Sequence, residues 1–190
     1  MPLTIKKNNE VDDILLARIH EFDLKLFPQD GEYSFPNDYL KKLYANHKEG
    51  MFVALDGENI AGYVNAIFLT DKDKEKYIQD RNYLEMKNNG LNYGENNMYF
   101  YTLAISLEYQ DTSVIKELMS SFAKWLKSEQ ENGKYLKSVI CEVITESGLK
   151  SAKIMGFLPF DIDSKGLGLY YSSDSLNSYI DNMIKWNNTK

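Results

Sequence analysis

The stretch from Met98 to Gln130, MYFYTLAISLEYQDTSVIKELMSSFAKWLKSEQ, constrains the fold more than any other. Met98 to Leu107 is an apolar, aromatic run. It breaks at Glu108-Tyr109-Gln110-Asp111, and a periodic segment follows at once. There Ile115, Leu118, Met119, Phe122 and Leu126 fall at helical spacing, with Val114 and Trp125 on the flanks. The pattern predicts a strand, a short polar turn and an amphipathic helix. The first backbone N–H groups of that helix, and the positive end of its dipole, face the turn. Such a junction is a ready site for an anion, above all a phosphate.

The flanking chain supplies further alternating elements. Leu3-Thr4-Ile5 reads as a short strand. Ile14, Leu15, Ile19, Phe22 and Leu26 predict a helix over Val11–Phe27, ended by Pro28 and Gly31. Residues 28–37 form a loop exposing Tyr33 and Phe35, and a second helix with Tyr39, Leu40, Leu43 and Tyr44 runs to about His47. Met51–Leu55 and Asn59–Leu69 make a hairpin about Asp56-Gly57. Gly62 inside its second strand marks a bulge or a kink. Asp71 to Lys87 is charge-rich and reads as a surface helix. Residues 70–97 are then either a solvated insertion or a lid beside a substrate site.

Further on, Leu136–Ile144 is a strand, Glu146–Met155 a short helix closed by Gly156, and Phe157 opens another strand. Ser164-Lys165-Gly166 turns it back along Leu167–Tyr171. Gly166-x-Gly168 lacks the third glycine and following helix of a dinucleotide fingerprint, so it reads as hairpin. Leu176, Tyr179, Ile180, Met183 and Ile184 predict a last helix over 174–188. The order predicts an α/β fold, a mixed sheet with helices on both faces, in a single domain over 1–190.

Composition excludes several function classes. Asp plus Glu outnumber Lys plus Arg by 28 to 22, and the net charge of −6 argues against a general nucleic-acid binder. Cys141 is the only cysteine and lies in an apolar run, so a buried, inert thiol is expected. His20 and His47 have no ligand-like spacing to it, so no metal is expected. Arg18 and Arg81 are the only arginines, which makes bidentate clamps scarce. The start, MPLTIKKNNE, lacks the apolar core of a signal peptide, and no apolar run approaches the ~20 residues of a membrane span. A cytoplasmic protein is expected.

Two local features carry a resemblance to the GNAT N-acetyltransferase superfamily. Leu103-Ala104-Ile105-Ser106-Leu107-Glu108-Tyr109-Gln110, followed by Asp111-Thr112-Ser113-Val114-Ile115, resembles a strand leading into that family's Gln/Arg-x-x-Gly-x-Gly/Ala pyrophosphate loop. Ser151-Ala152-Lys153-Ile154-Met155-Gly156-Phe157 resembles its short helix ending in Gly-Phe. The similarity covers roughly residues 3–172. It implies a GNAT-like acyl-CoA N-acyltransferase fold with a helical insertion between the third and fourth strands and an extra C-terminal helix.

The resemblance also implies a coenzyme site. Leu103, Ala104 and Ile105 would pair with the pantetheine arm through their backbone, a contact that survives side-chain drift. Gln110, Asp111, Thr112, Ser113, Val114 and Ile115 would face the diphosphate. The loop departs from the pattern: Ser113 replaces the first glycine and Ile115 the Gly/Ala, so the Ile115 side chain must turn into the core. Asp111 repels a diphosphate but suits a helix N-cap, and Lys116 partly offsets it. Ala152 stands where many members carry a tyrosine as general acid. Thr145 stands where an asparagine often contacts the coenzyme.

For the chemistry, Glu142 is the candidate base, against an outward, solvated strand glutamate. Tyr99 and Tyr101 share one face of the central strand, and Tyr101 is the candidate acid in place of the missing tyrosine. Tyr33, Phe35 and Tyr99 are candidates to line the acceptor, against plain packing for each and, for Tyr33 and Phe35, a surface patch. Glu108 reads as a turn residue. The resemblance implies transfer of an acetyl group from acetyl-CoA, as co-substrate, to a primary amine (a small amine, amino acid or protein terminus). The degenerate loop leaves open an inactive binding or regulatory module, and the last helix a homodimer.

Overall fold

The structure, a computed structural model, describes residues 3–27, 37–81 and 90–172 together with positions 181 and 184; side chains of the second helix are described from residue 42. Along the chain lie β1 (Thr4–Lys7), α1 (Asp13–Leu26), α2 (Asn37–Asn46), β2 (Met51–Asp56), β3 (Asn59–Leu69), α3 (Asp71–Gln79), β4 (Gly94–Ile105), α4 (Val114–Glu131), β5 (Lys134–Val143), α5 (Glu146–Ile154), β6 (Leu158–Ile162) and β7 (Gly168–Ser172). The strands form one mixed seven-stranded sheet in the order β1-β2-β3-β4-β5-β7-β6. β4 and β5 pair in parallel; β1/β2, β2/β3, β5/β7 and β6/β7 are antiparallel. Of the expected helix over 174–188 only Asp181 and Ile184 are described, both helical; the rest of it, and Tyr33 and Phe35, lie outside the described residues.

The residues group into two compact units. The first combines residues 1–65 with 102–121. Asp12 caps α1 by accepting from the Leu15 N–H at 2.8 Å, and Val11, Leu15, Leu16 and Ile19 are buried. Ile14, expected on the inward stripe, is 73% exposed; Leu16 and Asp23 take the inward face instead. Asp23 accepts from the hydroxyls of Tyr44 (2.5 Å) and Tyr63 (2.6 Å), so α1, α2 and β3 meet at one carboxyl. A polar residue on a buried face is invisible to a search for apolar spacing.

The expected β2–β3 hairpin forms, with its two-residue loop at Gly57-Glu58, one position beyond the Asp56-Gly57 signal, because Asp56 pairs with Asn59. Its register slips by one residue, with Leu55 opposite Ile60 and Ala54 opposite Gly62, so Ala61 is the bulge residue. The Ala61 carbonyl accepts from the Ser106 N–H at 2.9 Å. A Cβ on Gly62 would stand 2.6 Å from Ile105 Cδ1 and 2.7 Å from the Ala104 carbonyl oxygen. Only glycine allows that approach.

The second unit combines residues 66–101 with 122–190. α3 is capped by Thr70, whose hydroxyl oxygen accepts from the Asp73 N–H. It is tied to the sheet near its start: Asp71 accepts from Asn97 (2.8 Å) and Lys137 (3.2 Å), and Lys74 donates to Ser138 (3.4 Å). These contacts hold the exposed Asp71 carboxyl below its usual range, Asn97 contributing most. α3 is therefore fastened to the sheet at its start and buries Tyr77, while its remaining side chains stay exposed or half-exposed; residues 82–89 lie outside the described residues. On the other side of β4, Phe100 packs edge-on against Phe122 of α4, with ring centroids 6.0 Å apart. Gly156 closes α5 at φ 77°. Its N–H bonds the Lys153 carbonyl and the Phe157 N–H bonds the Ala152 carbonyl, a Schellman turn that buries Ala152 and Phe157.

Candidate active site

In the first unit, the strand–turn–helix junction consists of the end of β4, a 3₁₀ turn at Leu107–Tyr109 and the start of α4. Ala104 is buried, and Leu103 and Ile105 are half-buried. The register of β4 with β5 ends at Phe100↔Cys141, while β4 runs on to Ile105. Among the described residues, Tyr101 to Ile105 thus carry no further pairs with β5.

The turn is held by its own side chains. Thr112 donates its hydroxyl to the Tyr109 carbonyl (2.6 Å) and accepts from the Val114 N–H (3.3 Å). Ser113 donates its hydroxyl to Glu117 (2.6 Å), and its carbonyl accepts from the Glu117 N–H (3.0 Å). Because α4 starts at Val114, the cap position is Ser113 and not Asp111. Gln110 and Asp111 are exposed. The inward stripe of α4 is Val114, Leu118, Met119, Phe122, Trp125 and Leu126; Ile115, placed on that stripe from its spacing, is only half-buried. Glu108 lies in the exposed turn, as its position implied.

In the second unit, Glu142 is about a quarter exposed and paired on both carboxyl oxygens. One carboxyl oxygen accepts from Tyr77 of α3 at 2.9 Å, and the other from Arg81 at 3.2 Å. The Tyr77 and Tyr99 hydroxyls are 2.7 Å apart. A carboxylate has no proton to give, so Tyr77 must donate to Glu142 and accept from Tyr99. Burial, with the Glu142 charge second, pushes the Tyr77 hydroxyl well above its ordinary range, and burial does the same at Tyr99. Both remain neutral donors. Arg81 also donates to Asp161 of β6, at 2.6 Å to the carboxylate and 3.2 Å to the carbonyl. Register explains the span: Glu142 pairs with Leu169, and Leu169 with Asp161, so the three share one face.

Tyr101 stands edge-on to Tyr99 with ring centroids 5.5 Å apart, on the same face, as their alternation required. Thr145 caps α5, its hydroxyl oxygen accepting from the Gly148 N–H at 3.0 Å. Its hydroxyl proton remains to donate. Cys141 is buried, and burial pushes its thiol up to about 12, which suits packing and not nucleophilic work. Gly166-x-Gly168 closes the β6–β7 hairpin, whose loop N–H groups at Lys165 and Leu167 bond to Asp163. Among the described residues no group of three His, Cys, Asp or Glu side chains could hold a metal, and no helix is long and apolar enough to cross a membrane.

The profile of the acetyltransferase (GNAT) family matches residues 16–157, most of the chain. The chain belongs to this family. Three GNAT-fold structures show the likeness at low identity. The loading GNATL domain of CurA from Lyngbya majuscula superposes with a TM-score of 0.65 at 10% identity, over 94% of this chain and 100% of that one. The polyamine N-acetyltransferase of Drosophila melanogaster gives 0.61 at 10%, over 90% and 100%. Arabidopsis thaliana NAA60, in complex with acetyl-CoA, gives 0.56 at 18%, over 90% and 97%. Such identities show the fold alone. No curated protein sequence matches significantly. Within the GNAT fold, Tyr77, Arg81 and Asp161 went unnoticed as site residues in the sequence. Arg81 carried the one available signal, as one of two arginines.

Proposed function

We propose that the chain transfers an acetyl group from acetyl-CoA to a primary amine, by direct attack of the amine in a ternary complex. The observation that carries this reading is the stretch of β4 beyond its last pair with β5. It suits a peptide-like pantetheine arm that adds as a strand would. Leu103, Ala104 and Ile105 would hold the arm; Gln110 to Ile115 would meet the diphosphate, and Thr145 would add a hydroxyl. The exposed turn fits this role, and the Ser113 replacement is small. The charge of −6 modestly favours a cationic acceptor, with Tyr99, Tyr33 and Phe35 as its lining.

Acetyl-CoA would supply the activated acyl group. Glu142 takes one proton from the ammonium, directly or through water. The new C–N bond replaces the C–S bond, and the Tyr101 hydroxyl passes the amine's second proton to the leaving sulfur. Amide, free thiol and one proton released to solvent account for every atom. Holding both substrates in one complex supplies much of the rate, and main-chain N–H groups of β4 polarise the carbonyl.

A second reading, a binding module without turnover, is favoured by three details. The Val114 N–H and the Ser113 hydroxyl already have partners, and the family's tyrosine position is the buried Ala152. Calorimetry with acetyl-CoA, followed by thiol release over a panel of polyamines, amino acids and peptides, separates the two. Binding with thiol release supports the transferase. No binding at millimolar acetyl-CoA overturns it, and binding without release across the panel leaves the module.

A further inference from the structure

The α3 segment does more than cover the sheet. Tyr77 and Arg81, four residues apart, reach the two different oxygens of Glu142, at 2.9 and 3.2 Å. Tyr77 is buried against Tyr99, with ring centroids 4.5 Å apart. Arg81 is fixed from its far side by two bonds to Asp161. Neither side chain is therefore free to swing, and each holds Glu142 from a fixed point. Two donors on separate oxygens define the plane of a carboxyl group, whereas one leaves it free to rotate. A carboxylate so oriented keeps lone pairs available for an incoming N–H.

We propose that Tyr77 and Arg81 are positioning residues for the base: α3 and the turn just past its end supply the two donors that orient the Glu142 carboxylate toward the amine. This rests on the transferase reading above. The groups facing Glu142 are Tyr77 and Arg81 from the α3 segment, Tyr99 from β4, Cys141 beside it on β5, and Asp161 of β6 through Arg81. Removing the Tyr77 donor takes away stabilisation of the charged carboxylate only, so it acts on the pH at which the base works.

The test is the pH profile of kcat and KM for Tyr77→Phe, Arg81→Lys and Arg81→Met, with the Glu142 carboxyl followed by carbon NMR in the same proteins (its signal identified with Glu142→Gln). Tyr77→Phe is expected to lower kcat about tenfold, the worth of one hydrogen bond to a charged group, with the amine KM unchanged. The acid limb of its rate profile moves to higher pH, and the Glu142 signal titrates higher than in the wild type. Arg81→Lys restores part of what Arg81→Met loses. A drop in kcat with the limb and the NMR titration both unmoved would overturn the proposal, leaving the two side chains as struts for α3. The NMR arm needs no turnover. An unmoved Glu142 signal therefore defeats the proposal even where acetyl-CoA binds, while absent acetyl-CoA binding in the wild type defeats the transferase reading alone.

Discussion

Each unit holds a carboxyl group with two tyrosine hydroxyls, yet the two clusters are built for opposite ends. Asp23 is sealed, at 2% exposure, with Tyr44 and Tyr63 as its hydroxyl partners. Glu142 is about a quarter exposed and has Arg81 as a counter-charge. Proton counting separates them further. Around Asp23 four oxygens, two of the carboxyl and two hydroxyls, make three contacts, because the Tyr44 and Tyr63 hydroxyls are also 2.8 Å apart. Two hydroxyl protons cannot fill three contacts. With Asp23 ionised both hydroxyls donate to it and the contact between them lacks a proton; when Asp23 is protonated it donates to one hydroxyl and the ring is filled. Burial pushes its carboxyl up to about 6 despite the two tyrosine bonds and nearby His20, in keeping with that count. Around Glu142 no third proton is needed, since Arg81 provides the balance. A sealed acid is pushed toward its neutral form and serves packing; a partly exposed, cation-paired one stays available for proton transfer.

That contrast can be broken by stability measurements. The largest effect is expected for Asp23→Ala. At pH 5 it should cost about 3 to 4 kcal/mol, or roughly 10 °C in Tm, because buried hydroxyls lose their partner and a void remains. Thermal melts check this, and a loss under 1 kcal/mol would show that the ring contributes little. Next comes pH. Asp23 holds its proton more tightly folded than unfolded, so the folded state binds more protons between its ordinary 3.8 and about 6. Stability from this group is full below the lower value and declines as pH rises through the upper, by up to about 3 kcal/mol. Urea titrations from pH 4 to 7 should show the slope in the wild type and its loss in Asp23→Asn.

Smaller effects are expected in the second unit. Glu142→Gln should change stability by about 1 kcal/mol, since Glu142 and Arg81 are part-exposed and the amide can still accept. Denaturant midpoints at pH 7 would test it, and a cost equal to that of Asp23→Ala would erase the distinction between the clusters. Asp161→Asn comes last, at a few tenths of a kcal/mol or less, because Asp161 is 71% exposed and solvent screens its pair with Arg81. A double-mutant cycle with Arg81→Met would measure that coupling directly.

The contrast also shows what a sequence yields. Strand, turn and helix over Met98–Gln130 were legible because apolar spacing and burial follow the same period. The Asp56-Gly57 turn and the Gly156 closure were legible because each is a local backbone requirement. Glu142 stood out as a charge within an apolar strand. Its partners did not: Tyr77 and Arg81 lie 65 and 61 residues away, and no local pattern links them. Asp23 was missed for the opposite reason. It sits on a helix face where apolar spacing was the criterion, and the face turned toward it through Leu16 instead of Ile14. Ile115 failed likewise, since two neighbouring apolar residues at a helix start leave the rotation of the first turn undecided.

One feature of the first unit reaches beyond packing. Asp23 stands near the end of α1 and Tyr44 near the end of α2, and both are fastened to Tyr63 on β3. α1 and α2, consecutive in the chain, are therefore bolted to each other and to β3 at a common hinge-pin. A single hydrogen ion entering or leaving that pin would be felt by both helices and the strand at once.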